Sequence, residues 1–180
     1  MRRLVINFLL FQAGWFACVI GAAKGLPLLG PATVAVAVMI HLFLAHQPQS
    51  ESLLLVFAAL LGAVFDSLLA QSGNLNYVNG MLWPGTAPYW IVSMWVLFAT
   101  TLNVSMKWLR GRYGVAALLG LIGGPLSYLG GAALGGLMFV DLTASLIMLA
   151  VGWALIMPAL VWVAKQLDGM SRPDREPVHA

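Results

Sequence analysis

The sequence predicts an all-α fold: a polytopic transmembrane helical bundle of about six helices, with both termini in the cytoplasm. Of the 180 residues, 61% are hydrophobic and only 8% are charged, whereas about 25% of the residues of a soluble domain are charged. The apolar residues form six segments, and each approaches the roughly 20 residues that one bilayer crossing needs. Lys and Arg residues gather in alternate connections between these segments, as they do in membrane proteins.

The composition also excludes several classes of protein. A soluble enzyme or a disordered tail needs far more charged side chains than this chain has. The net charge of +3 comes from residues at segment ends rather than from one basic patch, so no nucleic-acid partner is expected. Cys18 is the single cysteine, and no Cys/His cluster has the spacing of a metal site. We therefore expect no metal and no cofactor.

Turn-forming and charged residues separate the six segments. The first follows Arg2 and Arg3, and the short break Lys24-Gly25-Leu26 precedes the second. Pro48-Gln49-Ser50-Glu51 precede the third. The predicted spans are about 4–23, 27–45, 52–70, 88–108, 115–134 and 142–163. They make up one transmembrane domain, 1–164, which is followed by a polar cytoplasmic tail, 165–180.

The basic residues predict the orientation of the chain. With a cytoplasmic N-terminus, eight of the nine Lys and Arg residues lie on the cytoplasmic side. These are Arg2, Arg3, Lys107, Arg110, Arg112, Lys165, Arg172 and Arg175. Because cytoplasmic loops are enriched in such residues, we expect a multi-pass protein with both termini in the cytoplasm. The alternative is that the first segment is a cleaved signal peptide; its length and the polar Asn7 and Gln12 within it favour a retained helix.

Asp66 is the sharpest candidate for a functional residue. An ionised Asp at the bilayer centre costs about 2.5–3.5 kcal/mol. Ala59, Gly62 or Ala63, Asp66 and Ala70 recur every three or four residues, so they share one face of small side chains. This face is expected to pack on a neighbouring helix and to turn the carboxyl away from lipid. Asp66 is then a proton-binding or ligand-binding group, or else a carboxyl that is hydrogen-bonded between helices or wetted at the periplasmic interface.

The fifth segment contains two GxxxG pairs, a pattern that lets another backbone approach closely. The paired glycines are Gly120, Gly124, Gly131 and Gly135. Pro125 removes one backbone hydrogen bond, which predicts a kink and a free carbonyl near Ser127 and Tyr128. These features indicate either helix packing alone or a broken helix that contacts a ligand.

Weaker candidates lie nearer the cytoplasmic face. They are Asn7, Gln12, His41 and Thr100. Asn103 lies three residues after Thr100 and shares a helix face with it. We hypothesise that Asp66, Asn103, Ser127 and Tyr128 converge on one interhelical polar site.

The connection 71–87 is long, uncharged and followed by further aromatic residues. Tyr77 and Trp83 lie in this connection, and Tyr89 and Trp90 follow it directly. Such residues usually form a belt at the membrane interface, and the alternative is a lid over a ligand site. The remaining Trp residues, Trp95 among them, are assigned to packing or interfaces.

Several strings in the chain resemble a family of small proteobacterial inner-membrane proteins known only as a domain of unknown function. They are Asn7-Phe8, Phe11-Gln12 and Trp15-Phe16-Ala17-Cys18 in the first segment, Phe98-Ala99-Thr100-Thr101-Leu102-Asn103 in the fourth, and Gly124-Pro125-Leu126-Ser127-Tyr128 in the fifth. The resemblance implies a polytopic inner-membrane protein, and it brings no assigned activity, catalytic residue or cofactor. It also suggests a link to enzymes that modify fatty-acyl chains.

The functional prediction is an integral membrane protein without enzymatic activity, or an accessory component, linked to lipid or fatty-acyl metabolism. A small transporter with a buried carboxyl at Asp66 is one alternative. A membrane-embedded lipid-modifying enzyme is another, although the sequence has no HxxxH, paired acidic or GxSxG motif. The expected partners are membrane lipids, together with a second copy of the chain or a partner membrane protein.

Overall fold

The computed structural model describes residues 1–172, and in this range the chain forms six α-helices, in agreement with the predicted fold class. The helices are α1 (Arg2–Ala23), α2 (Leu29–Leu44), α3 (Pro48–Gln71), α4 (Tyr89–Leu102), α5 (Tyr113–Ala133) and α6 (Leu142–Gln166). Two short strands, β1 (Leu75–Tyr77) and β2 (Leu137–Phe139), pair antiparallel. A single 3₁₀ turn, Lys107–Leu109, connects α4 to α5.

Four of the helices described, α1, α3, α5 and α6, are long and apolar enough to cross a membrane. They have between 21 and 25 residues, whereas α2 has 16 and α4 has 14. In the most apolar window of each long helix, only 22% to 33% of the residues are buried inside the protein. Large side chains such as Leu28, Phe43 and Leu155 are exposed instead. Such a surface is stable only if lipid covers it.

The chain segments that connect the helices contact one another at two ends of the bundle. We call these the basic end, which holds the α2–α3 and α4–α5 connections, and the ribbon end, which holds β1 and β2. At the basic end, the start of α1 contacts the α4–α5 connection, where Ser105 donates a hydrogen bond to Asn7 (2.7 Å). The α2–α3 turn and the residues after α6 also meet there, since the Gly169 carbonyl accepts the backbone N–H of His46 (2.8 Å). At the ribbon end, β1 and β2 join the chain that leaves α3 to the chain that leaves α5.

Glycines allow the closest helix contacts. A Cβ on Gly120 would lie 2.1 Å from the carbonyl oxygen of Trp153, and one on Gly124 would lie 2.4 Å from the Trp153 indole. These two positions bring α5 against α6, as their GxxxG spacing suggests. Gly62 likewise lets α3 approach α4 closely, because a Cβ added at this position would lie 2.1 Å from the Trp95 indole.

The second GxxxG pair has a different environment. Gly131 lies on α5, where a Cβ would make an ordinary 3.4 Å contact with Leu137. Gly135 lies beyond the end of α5 with a φ of 86°, so it forms the turn that leads into β2 rather than a packing ridge. Pro125 lies inside α5, as the sequence predicts.

Helix α4 ends at Leu102, six residues before the predicted end of the fourth span at 108. The Thr100 and Thr101 hydroxyls donate to the carbonyls three residues earlier, at 2.7 and 2.6 Å. Asn103 then directs its amide to Glu51 on α3 (2.8 Å). These side-chain bonds compete with continuation of the helix and turn the chain towards the short 3₁₀ helix.

The third and last spans also differ from prediction. Helix α3 begins at Pro48 rather than at 52, because proline is well tolerated at the first helical position and Glu51 is buried with hydrogen-bond partners. Helix α6 continues to Gln166, and residues 167–172, part of the predicted polar tail, fold back onto the basic end. The remainder of that tail, 173–180 with Arg175, lies outside the described residues.

Candidate functional site

A buried carboxyl cluster lies near the ribbon end. Asp66 on α3 has no exposed surface. Its Oδ1 accepts hydrogen bonds from the hydroxyls of Tyr77 and Tyr128, and its Oδ2 accepts one from the Trp95 indole (2.6 Å). We call these four residues the Asp66 cluster. Because a buried charge is tolerated only when it is paired or hydrogen-bonded, these three donors explain how α3 carries an Asp.

Each member of the cluster comes from a different element. Gly62 lies one turn before Asp66 and leaves the space into which the Trp95 indole packs. The ribbon positions Tyr77, because side chains alternate along a strand, so Leu75 and Tyr77 face inward while Asn76 faces outward. Tyr128 comes from α5. The cluster therefore ties α3, α4, α5 and the ribbon together.

An apolar cavity of about 60 Å³ adjoins the cluster. Most of its wall is aromatic, and the aromatic lining includes Phe11, Trp15, Trp90, Trp95, Phe98 and Trp153. Tyr128 also lines it, so two members of the Asp66 cluster form part of the wall while Asp66 lies behind them. A few carbon atoms fit this volume, since one water needs about 10–15 Å³.

The polar groups at the cavity are few. The Ser127 hydroxyl accepts a hydrogen bond from the Trp15 indole (3.2 Å). The Trp153 ring stacks on Trp95, with 4.6 Å between centroids and 10° between planes. The Trp153 N–H lies close to the Tyr128 hydroxyl, but it is buried without a hydrogen bond of normal geometry to any described residue. Trp153 therefore adds a buried donor beside the cavity, and this donor is not exposed to the cavity itself.

A second buried network occupies the basic end. Glu51 has no exposed surface. Its Oε2 lies 2.8 Å from His41 Nε2, and its Oε1 accepts from the Asn103 amide and from the Gly169 N–H, both at 2.8 Å. Asn103 in turn accepts from Arg110 (2.6 Å). We call this group, Glu51, His41, Asn103, Arg110 and the chain at Gly169, the Glu51 network.

Asp168 extends this network to the surface. It accepts a hydrogen bond from Arg110 (2.7 Å), and the Lys107 ammonium lies 3.4 Å away. Burial by itself would raise the pKa of Asp168. Hydrogen bonds from Arg110 and Ser171, together with the Arg110 charge, outweigh that effect and hold the pKa well below its usual value. Asp168 is therefore an anion at physiological pH.

A family model described as a protein of unknown function (DUF2878) matches residues 4–159. The chain belongs to this family. The match agrees with the resemblance to an uncharacterised family that the sequence strings suggested. Neither the curated proteins nor the solved structures contain a significant match to the chain. The DUF2878 match includes the whole Asp66 cluster and Glu51, whereas Asp168 and Gly169 lie beyond it.

The DUF2878 chain brings only part of the hypothesised polar site together. Asp66 and Tyr128 are hydrogen-bonded, and Ser127 lines the adjoining cavity. Asn103 lies instead in the Glu51 network at the basic end. The four residues thus do not meet at one site, because α4 places Asn103 two helical turns beyond Trp95, the residue that reaches Asp66.

The weaker candidates of the DUF2878 chain also divide between regions. His41 belongs to the Glu51 network. The Asn7 amide donates to the Thr100 carbonyl (3.0 Å) and joins α1 to α4. Gln12 is half-buried and belongs to neither network.

Three residues of the two buried clusters of the DUF2878 chain are not among the candidates that the sequence predicts. The sequence indicates a segment boundary at Glu51 and a packing role for Trp95. For Tyr77 the sequence predicts an interfacial belt or a lid over a ligand site, whereas Tyr77 is buried and donates to Asp66, and Trp83 in the same connection is exposed. The sequence signal for such a residue is Gly62 four residues before Asp66, because a small residue beside a buried carboxyl leaves room for a large hydrogen-bond donor on the neighbouring helix.

Proposed function

We propose that this chain is a multi-pass protein of a bacterial inner membrane that binds an acyl chain in the cavity beside the Asp66 cluster, without catalysing a reaction. The observation that carries the proposal is the cavity itself. It is apolar and aromatic along most of its wall, and one of its lining residues, Trp153, has a buried N–H without a hydrogen bond of normal geometry to residues 1–172.

The placement of the cavity supports a ligand that arrives from the bilayer. Helix α1 packs on α2 and α4, while α5 packs mainly on α6. The cavity is lined by residues of α1, such as Phe11, and of α5, such as Tyr128, so it lies along the seam between the two helix groups. An acyl chain in the surrounding lipid reaches this seam without crossing water. A volume of about 60 Å³ suits the end of one chain rather than a whole lipid.

The polar groups narrow the ligand class. The Trp153 N–H is buried and has no hydrogen bond of normal geometry among residues 1–172, so an ester or carbonyl oxygen beside the chain accepts it once the indole turns towards the cavity. A buried donor without a partner costs about 1–3 kcal/mol, so a ligand that supplies an acceptor recovers this energy. A plain alkane does not.

The charge distribution supports an orientation with both termini in the cytoplasm. Of the described Lys and Arg residues, only Lys24 lies at the ribbon end. The basic end holds Arg2, Arg3, Lys107, Arg110, Arg112, Lys165 and Arg172. An alkaline phosphatase fusion after Ala180 is expected to be inactive, and one inserted at Gly73 is expected to be active. The reverse pattern overturns the orientation.

Native mass spectrometry of the chain in mild detergent tests the binding proposal. We expect one retained acyl lipid or fatty acid per chain. Gly131→Leu is expected to abolish retention, because Gly131 lines the cavity. Gly123→Leu, on the same helix at an exposed position where a Cβ meets nothing within 4 Å, is the matched control and is expected to retain the ligand. Equal retention in both variants overturns the proposal.

A proton-coupled transporter is the second candidate, and it is favoured by the complete burial of the Asp66 carboxyl inside an apolar helix. In this case Asp66 itself gains and loses a proton. Asp66→Asn is then expected to abolish transport in a strain where loss of the gene has a phenotype. In the acyl-binding proposal Asp66 positions Tyr128 and Trp95, so the same variant is expected to weaken ligand retention without abolishing function.

A further inference from the structure

The residues after α6 form a strap across the basic end. We use this name for 167–172. At Gly169 the strap is attached through its backbone: the carbonyl accepts the N–H groups of His46 (2.8 Å) and Gln47 (2.9 Å), and the N–H donates to Glu51 (2.8 Å). A Cβ at Gly169 would lie 2.2 Å from the Gln47 carbonyl oxygen. Only glycine fits this attachment without displacing the α2–α3 turn.

A second attachment lies one residue earlier. Asp168 Oδ1 accepts the backbone N–H groups of Met170 (3.0 Å) and Ser171 (3.1 Å), which fold the strap into a tight turn. Asp168 Oδ2 accepts from Arg110 (2.7 Å) on the α4–α5 connection. The strap is therefore held by the backbone of Gly169 and by the Arg110–Asp168 pair, and Asn103 and Lys107 add hydrogen bonds to the Leu167 carbonyl (3.3 Å) and to Ser171.

The strap covers a small cavity beside His41. This cavity has a volume of about 20 Å³, enough for a single water, and His41 and Met170 both line it. His41 is only 4% exposed, and its Nε2 is directed to Glu51. Its other ring nitrogen makes no hydrogen bond to any residue of 1–172, so that nitrogen is free to bind a water in the cavity.

We propose that the strap is a releasable cover that controls the access of water to the buried His41–Glu51 pair at the basic end. The pair contacts Asn103 from the end of α4 and the Gly169 N–H of the strap. The charged and polar residues around the adjoining cavity are Arg3 and Asn7 from α1 and Thr100 from α4, and Arg110, Lys107 and Asp168 lie beyond Asn103 and the strap. When the strap leaves, Glu51 loses one donor but keeps His41 and Asn103. The pair therefore survives release, and water gains access to it.

The experiment is modification of the full chain in detergent micelles at neutral pH with diethyl pyrocarbonate, read out by peptide mass spectrometry. This reagent acylates accessible, unprotonated imidazole nitrogens. His46 is exposed and serves as an internal reference in the same molecule. In the wild type we expect His41 to react at least about tenfold more slowly than His46, because cover opening limits its exposure. Equal rates for the two histidines in the wild type overturn the proposal.

Two variants release the strap in different ways. Gly169→Ala introduces the clashing Cβ, and Asp168→Asn removes the charged attachment without adding a Cβ. Both are expected to raise the His41 rate about tenfold and to leave His46 unchanged. Gly114→Ala is the matched control, since a Cβ there meets nothing within 4 Å. A His41 rate that stays at the wild-type value in both strap variants overturns the proposal, and the wild-type comparison stands even if a variant fails to fold.

Discussion

The strongest test of the Asp66 cluster is removal of its two phenol groups, singly and together. Tyr128→Phe and Tyr77→Phe each delete one donor to Asp66 Oδ1 and leave the ring in place. A hydrogen bond to a charged group contributes about 1.5–3 kcal/mol. We expect each single variant to lower the free energy of unfolding by about that amount. The two losses of unfolding free energy are expected to be similar in size, because both hydroxyls are buried.

The double variant is more informative than either single one. Without the two hydroxyls, Asp66 Oδ1 is buried with no donor, while the Trp95 indole still donates a hydrogen bond to Asp66 Oδ2. The loss in the double variant is therefore expected to exceed the sum of the single losses, with a coupling of about 0.5–3 kcal/mol. The free energy of unfolding of all three variants is measured by reversible unfolding in mixed micelles. The SDS fraction is increased stepwise, and the loss of helicity is followed by circular dichroism.

The control for this series is Tyr113→Phe, because Tyr113 is exposed at the start of α5. It is expected to change the unfolding free energy by less than about 0.5 kcal/mol. If Tyr128→Phe behaves like Tyr113→Phe, or if the double variant is simply additive, then Tyr77 and Tyr128 do not share the carboxylate oxygen. The description of the cluster is then wrong.

Three further predictions concern the helix contacts and the basic end. Gly62→Ala places a Cβ 2.1 Å from the Trp95 indole and is expected to cost about 1–3 kcal/mol in the same unfolding assay, whereas Gly123→Ala changes it little. Glu51→Ala leaves Asn103 and the strap N–H without their acceptor, so backbone hydrogen exchange of 167–172 is expected to become faster while that of α3 near Asp66 stays unchanged. Asp168 has a lowered pKa in the folded chain, so its stabilisation is complete above the unfolded value of about 3.9 and is lost as the pH falls below it. The rate of hydrogen exchange of the strap amides, corrected for the intrinsic pH dependence of amide exchange, is therefore expected to be constant from about pH 8 to 5 and to rise below about pH 4. A rise already at pH 6 contradicts the role of Asp168 in holding the strap.

The general fold could be predicted because composition decides it. Too few charged residues are present to cover a soluble protein, and the apolar segments alternate with basic connections. The face of α3 that carries Gly62 and Asp66 was also readable, because residues four apart lie on one side of a helix. Its consequence, close packing on another helix, follows from Trp95 lying over Gly62.

The partners of Asp66 could not be predicted in the same way. Tyr77 reaches the carboxyl only because a three-residue strand pairs with another that follows α5. Strands this short have no periodic signal, and their pairing depends on contacts distant in sequence. The end of α4 was missed for a related reason. Asn103 continues an apolar run in sequence, but its amide is drawn to Glu51, which is 52 residues away.

A density map of the full chain in lipid nanodiscs tests the acyl-binding proposal most directly. We expect elongated density in the seam between α1 and α5 that ends against Tyr128 and the stacked Trp95 and Trp153, with an acceptor oxygen within hydrogen-bond distance of the Trp153 N–H. Density of a few ordered waters, or a cavity closed by movement of its aromatic wall, contradicts the proposal.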